Sequence, residues 1–170
     1  MNRTPSNIWE SSRYLLTDEN QVIDMIVLPI LCLLGWNTAD GSQVDRCAPT
    51  AERCDIHLIQ NGAILAGLEC KSINSNEFCI THDKGDSRKP EHDGIVQLKT
   101  YCRTLVSRAG GMAVIPVLTN GLRWIVFNSD TFLCDSNVNN PLNAEAHILT
   151  DTIITEVDFL QDLQLIRRVS

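Results

Sequence analysis

Residues 54–71 read CDIHLIQNGAILAGLECK, and the fold turns on how this stretch is paired. Two apolar runs of strand length flank Asn61-Gly62, a dipeptide suited to a tight hairpin turn, so residues 54–60 and 63–71 are expected to form adjacent antiparallel strands. Glu69 and Lys71 are two residues apart, which puts them on one face of the second strand. Asp55 lies on the first strand, with thirteen residues between it and Glu69. The loop decides whether the three meet. A two-residue turn with regular pairing sets Asp55 against Leu68, on the face away from Glu69. A three-residue loop ending at Gly62 pairs Ile59 with Ala63 and Asp55 with Gly67, and returns all three to one face. An odd loop or a bulge is therefore expected.

Upstream, Asp18 and Glu19 suit the positive end of a helix, with Thr17 as its cap. Val22, Ile23, Ile26, Val27, Ile30, Leu31 and Leu34 then recur at helical spacing. Pro29 should kink this helix, and Gly35 should end it. Residues 1–16 read as a lead-in without clear structure, and residues 37–53 as polar with weak strand character around Val44. Downstream, a long polar segment over 74–94 precedes a helix from about Asp93 to Ser107, with an apolar stripe of Leu98, Tyr101, Cys102 and Leu105. Strands follow at 113–118 and 123–127 around Asn120-Gly121, then a loop over 128–147, then a C-terminal helix over about 155–167. This order of elements implies one α/β domain with a mixed sheet and helices packed on its faces.

Composition agrees. The chain has 170 residues, 44% apolar and 21% charged, which suits a single domain with its own core. Its longest apolar run, Ile26 to Leu34, contains Pro29 and is too short to span a bilayer. The N-terminus has no apolar leader, and the seven cysteines form no C-x-x-C pair; a reduced, cytoplasmic protein is expected. Cys79, His82 and His92 lack a fourth zinc ligand at a usual spacing. The net charge of −7 counts against tight, unaided DNA binding. There is no glycine-rich nucleotide loop.

Asp55, Glu69 and Lys71 have a chemistry in common. Two nearby carboxylates raise each other's pKa, and a hard divalent cation relieves the repulsion. Mg2+ between Asp55 and Glu69, with the Cys70 carbonyl as a further ligand, would acidify a bound water, and Lys71 would orient that water or offset charge on a phosphodiester. The bland alternative is an exposed cross-strand pair of Glu69 and Lys71, worth under about 1 kcal/mol.

The pattern D-x13-E-x-K on a hairpin resembles the PD-(D/E)xK nucleases, with Cys54 where that family loosely keeps a proline. Val27 to Trp36 (VLPILCLLGW) resembles the first helix of the N-terminal nuclease domain of type I restriction subunits. Gln97 and Tyr101 match the Q-x-x-x-Y motif of that group, and Val117 to Phe127 (VLTNGLRWIVF) is similar to its downstream hairpin. The resemblance covers about residues 17–128. It implies a restriction-endonuclease-like α/β/α fold and a Mg2+-dependent endodeoxyribonuclease of restriction or defence, with Mn2+ as a substitute ion. DNA is the implied substrate, and a helicase, specificity or modification subunit, or a second copy in a homodimer, the implied partner. It assigns Asp55, Glu69, Lys71, Gln97 and Glu19 to the catalytic centre and Tyr101 to the nucleic-acid backbone. The alternative is a catalytically inactive nuclease-fold module that binds nucleic acid or a protein.

Several residues fit a purely structural role as well. Glu19 also suits a helix dipole, and Tyr101 also belongs to an apolar stripe. Trp36 and Trp124 read as core residues, His57 as a satisfied strand histidine, and Lys84, Arg88 and Lys89 as a solvated face. The family's acidic residue on the strand before the aspartate has only Asp45 as a counterpart.

Overall fold

The structure, a computed structural model, describes residues 4–16, 18–47, 54–73, 75, 94–108, 112–135, 144 and 146–169. Cys79, His82 and His92, the basic residues 84, 88 and 89, and nearly all of the 74–94 segment lie outside the described residues.

The lead-in is more ordered than its composition suggests. Helix α1 (Pro5–Ser12) starts with Pro5 in its first turn, its Thr4 side chain accepts from the Asn7 N–H, and it buries Ile8 and Trp9. The next helix begins at α2 (Glu19–Val22), and the cap is Asp18, whose carboxylate accepts from the Gln21 N–H. Pro29 does not break it. The chain widens into a π turn at Ile23–Val27 and continues as α3 (Leu28–Leu33), with the Leu28 N–H reaching back to the Ile23 carbonyl. Proline has no N–H to give residue 25, and the Met25 carbonyl takes the Ser12 hydroxyl of α1 instead, at 3.4 Å. Gly35 then ends the helix at φ +93°, while the Trp36 N–H bonds to the Leu31 carbonyl.

Among the described residues the sheet has six strands in chain order: β1 (Val44–Arg46), β2 (Ile56–Gln60), β3 (Ala63–Cys70), β4 (Ile115–Thr119), β5 (Arg123–Phe127) and β6 (Ile148–Ile153). Of these strands β3 and β4 pair in parallel, joined across α4 (Gly94–Arg108), and the other neighbouring pairs are antiparallel. Two differences from the sequence reading lie downstream. Residues 128–147 contain a short helix, α5 (Ser129–Cys134), capped by Asn128. The C-terminal helix expected over about 155–167 is only α6 (Phe159–Asp162) and a 3-10 turn at Gln164–Ile166, and residues 148–153, to which the sequence reading gave no element, join the sheet as β6.

Helices cover both faces of this mixed sheet. One core packs α1, the α2–α3 helix and the C-terminal turns on Ile56, Leu58, Leu68, Val117, Trp124 and Val126. The other packs α4 and α5 on Leu118, Ile125 and Phe127. Trp36 and Trp124 are both buried, and each donates its indole N–H to a backbone carbonyl. Of the six described cysteines, Cys54, Cys70 and Cys102 are buried. Among the described residues no helix is long and apolar enough to cross a membrane.

The hairpin resolves the loop question in a form of its own. Asn61 and Gly62 both have positive φ, +54° and +76°, and make a two-residue turn that pairs Gln60 with Ala63, so the three-residue loop is not used. The shift comes later. Ile59 pairs with Ile64, but Leu58 pairs with Ala66, leaving Leu65 as an extra residue on β3. Such a bulge sets two consecutive side chains on one side. Leu65 and Ala66 both pack into the first core, while Ile64 joins the second. Beyond the bulge Ile56 pairs with Leu68, and continuing that register sets Asp55 opposite Glu69 rather than Gly67.

Candidate active site

The ends of β2 and β3 gather the charged groups. β3 is an interior strand, flanked by β2 and β4, so the side chains at its C-terminal end are covered. Glu69 is 3% exposed and Lys71 6%, which rules out an exposed edge pair. Lys71 follows the last residue of the strand and stays in line because its N–H bonds to the Thr119 carbonyl of β4.

Lys71 is the hub. Its Nζ donates to Glu69 Oε1 at 2.8 Å and to Gln97 Oε1 at 2.7 Å. Gln97 lies in the first turn of α4, so the helix on one face reaches the strand end directly. From the other face, Glu19 at the start of α2 brings Oε2 to 3.9 Å from the same Nζ. The two helical layers thus converge on one ammonium group.

Asp55 plays a different part. It stands just before β2, and its Oδ2 accepts the Cys70 N–H at 2.7 Å. That N–H faces β2, since the next one, on Lys71, is taken by β4. The carboxylate thus continues the ladder where the β2 backbone stops, and holds the peptide between Glu69 and Lys71. At residue 70 this bond engages the amide N–H; the carbonyl, expected as a cation ligand, takes no part in it.

The acids are electrostatically costly. Burial, then the neighbouring Asp55 charge, pushes the Glu69 carboxyl up to about 8, outweighing the ammonium of Lys71. Burial also raises Asp55, against the opposing pull of the Cys70 N–H and Lys71. Glu69 Oε2 is buried and has no hydrogen-bond partner among the described residues. A buried carboxylate oxygen left in this way, beside a second acid, favours either a proton or a cation. Tyr101, one turn along α4 from Gln97, packs partly against the second core, and its hydroxyl pKa is raised by burial and then by Glu69. It therefore serves the apolar stripe and also lies near the acids.

All five residues expected at the catalytic centre meet here. Asp45 does not join them: on β1 it pairs across from His57, and its carboxylate lies 3.9 Å from the His57 ring. The sequence reading also missed what surrounds that histidine. Cys47 Sγ lies 3.3 Å from His57 Nδ1, and Asp45, Cys47 and His57 offer ligand atoms all within 4.8 Å of one another. The available signal was Asp45 and Cys47 at strand spacing next to a histidine-bearing strand. Comparison with protein-family models, with curated proteins and with solved structures finds no match.

Proposed function

We propose that this chain is a metal-dependent nuclease of the PD-(D/E)xK class, with a restriction-endonuclease-like fold, that hydrolyses phosphodiester bonds in DNA. The observation that carries this reading is Glu69: a buried carboxylate with one oxygen unpartnered among the described residues, next to Asp55 and held by Lys71. Two hard oxygen donors whose charges oppose each other fit Mg2+, with Mn2+ as substitute. Asp55, Glu69 and the Cys70 carbonyl would hold the ion. When bound it supplies charge neutralisation at the phosphodiester and a more acidic water.

The remaining chemistry belongs to the side chains. Glu69 and Gln97 each accept a hydrogen bond from the Lys71 ammonium, which fixes it as a compact positive charge for the transition state. Gln97 acts through Lys71 as a positioning residue. Glu19, whose side chain is 40% exposed, adds a carboxylate at the solvent side of the centre. Tyr101 offers its hydroxyl to the nucleic-acid backbone. A net charge of −7 leaves the chain short of phosphate contacts, so affinity for DNA would come from a helicase, specificity or modification subunit, or from a second copy.

The test is cleavage of plasmid and single-stranded DNA with Mg2+ or Mn2+, comparing wild type with Glu69→Ala and Lys71→Ala. Cleavage by the wild type alone is expected. Equal activity in all three removes the catalytic reading. DNA binding without cleavage in the wild type favours the inactive binding module, which the acidity of the chain also suits.

A further inference from the structure

The second cluster has a different character. Asp45 and Cys47 project from the short edge strand β1 and the residue that follows it, and His57 lies on β2 opposite Asp45. His57 is 6% exposed, while the Asp45 side chain is 46% exposed. The three donors are a thiol, an imidazole and a carboxylate. They line, or lie beside, a surface cleft of about 390 Å3 bounded by Asp45, His57, Ile64, Leu105, Arg108 and Met112.

The spacing is close to what one ion requires. Zinc bonds of about 2.3 Å to sulfur and about 2.0–2.2 Å to nitrogen or oxygen separate tetrahedral ligand atoms by roughly 3.4–3.6 Å. Cys47 Sγ lies 3.3 Å from His57 Nδ1 and 3.5 Å from Nε2, and His57 Nδ1 lies 3.9 Å from Asp45 Oδ2. The near-equal sulfur–nitrogen distances set the sulfur across the ring rather than at the end of one lone pair. Binding an ion therefore turns the imidazole about its Cβ–Cγ bond and draws the half-exposed Asp45 inward. A catalytic Cys–His–Asp relay fits less well, because the sulfur lies almost as close to Nδ1, the nitrogen beside the carboxylate, as to Nε2, instead of at the opposite end of the ring.

We propose that Asp45, Cys47 and His57 form a binding site for Zn2+, with water from the cleft as the fourth ligand. Thiolate and imidazole donors select zinc over Mg2+, so this site is chemically separate from the oxygen-donor centre at Glu69. On binding, the hydrated ion sheds water ligands, the Cys47 S–H bond breaks with its proton going to solvent, and a zinc–sulfur bond forms with no change in oxidation state. The ion ties β1, only three residues long, to β2.

The experiment uses the full chain. Protein is loaded with Zn2+, dialysed against metal-free buffer and assayed for bound zinc, and a parallel sample is loaded with Co2+ and examined for a thiolate-to-cobalt charge-transfer band. One zinc per chain and a thiolate band are expected in the wild type and in Glu69→Ala. Cys47→Ser loses the band, and Cys47→Ser and His57→Ala lose the zinc. Asp45→Asn weakens zinc by more than roughly tenfold, the lower end of the cost of losing even an outer partner of a metal site. No stoichiometric zinc or no thiolate band in the wild type overturns the proposal, with no variant needed. A band that survives Cys47→Ser, and so comes from another cysteine, overturns it as well. Failure of the nuclease reading leaves these outcomes unaffected.

Discussion

Helix α4 roofs two groups of ionisable side chains that differ in nearly every physical respect. At its N-terminal turn Gln97 reaches into the centre of Glu69, Lys71 and Asp55. Near its other end Leu105 and Arg108 border the cleft with Asp45 and His57. The first group is at the end of an interior strand, is made of oxygen donors and an ammonium, and keeps Glu69 and Lys71 buried. The second is at the sheet edge, mixes sulfur, nitrogen and oxygen, and has its carboxylate half exposed. Burial sets how strongly charges act on each other, and donor softness sets which ion is preferred. On the two proposals above, three neighbouring strands, β1 to β3, carry two sites with distinct ionic preferences.

The largest effect should come from removing the hub of the first group. Lys71→Ala should lower cleavage by about 10²–10³-fold, the usual loss when one electrostatic stabiliser of a transition state is deleted. Single-turnover rates measure it. A drop of less than a few-fold would make the two groups look alike, as structural ion clusters.

The next effect is on stability, and its sign follows from Glu69. Its folded pKa of about 8 lies above the ordinary 4.5. Between these values the folded chain keeps a proton that the unfolded chain releases. The stability that Glu69 contributes is therefore full below about pH 4.5 and falls as pH rises toward 8, by an amount on the order of a few kcal/mol. Urea denaturation at pH 5, 6.5 and 8 tests this; Glu69→Gln should flatten the dependence. Mg2+ should oppose the fall at pH 8, since it binds the deprotonated acids.

Gly67 lies on the same face between the two groups, paired with His57 and two residues before Glu69. A Cβ there would lie 2.9 Å from Cys54 Sγ and 3.2 Å from Cys102 Sγ, so Gly67→Ala should cost about 1–3 kcal/mol through overpacking beneath α4. Chemical denaturation reads that loss, and a neutral result would show that α4 is free to lift away.

The smallest effect belongs to the exposed counterpart of the Lys71–Glu69 pair. Arg46 at the end of β1 bonds to Asp24 of the π turn with both side chains about half exposed. Arg46→Ala should cost under about 1 kcal/mol and vanish in high salt. A larger, salt-resistant loss would mean that the edge is as tightly coupled as the centre.

Much of this molecule could be read from local pattern. Period-two spacing aligned Glu69 with Lys71, Asn61-Gly62 marked the turn, Gly35 ended a helix, and the family resemblance brought Gln97 and Glu19 toward the same point. The C-terminal region was harder. The strand over 148–153 alternates weakly and stays half exposed, so its pairing with β5 leaves little hydrophobic signature. The π turn before Pro29 likewise depends on Ser12, a residue on another helix, to occupy the Met25 carbonyl.

The chain order of residues by itself determined which groups share a strand face, because alternation is a property of the backbone. Whether faces on different strands coincide was a tertiary decision. The bulge at Leu65 reverses the parity of β3 relative to β2, and it exists because Leu65 and Ala66 both find room in one core while Ile64 fills the other. The pairing of β1 with β2 likewise brings Asp45 to His57, with Cys47 beside its ring, where strand spacing alone aligned only Asp45 with Cys47. Packing free energy is summed over the whole sheet, so the position of a single extra residue is set by what both layers of helices can accept.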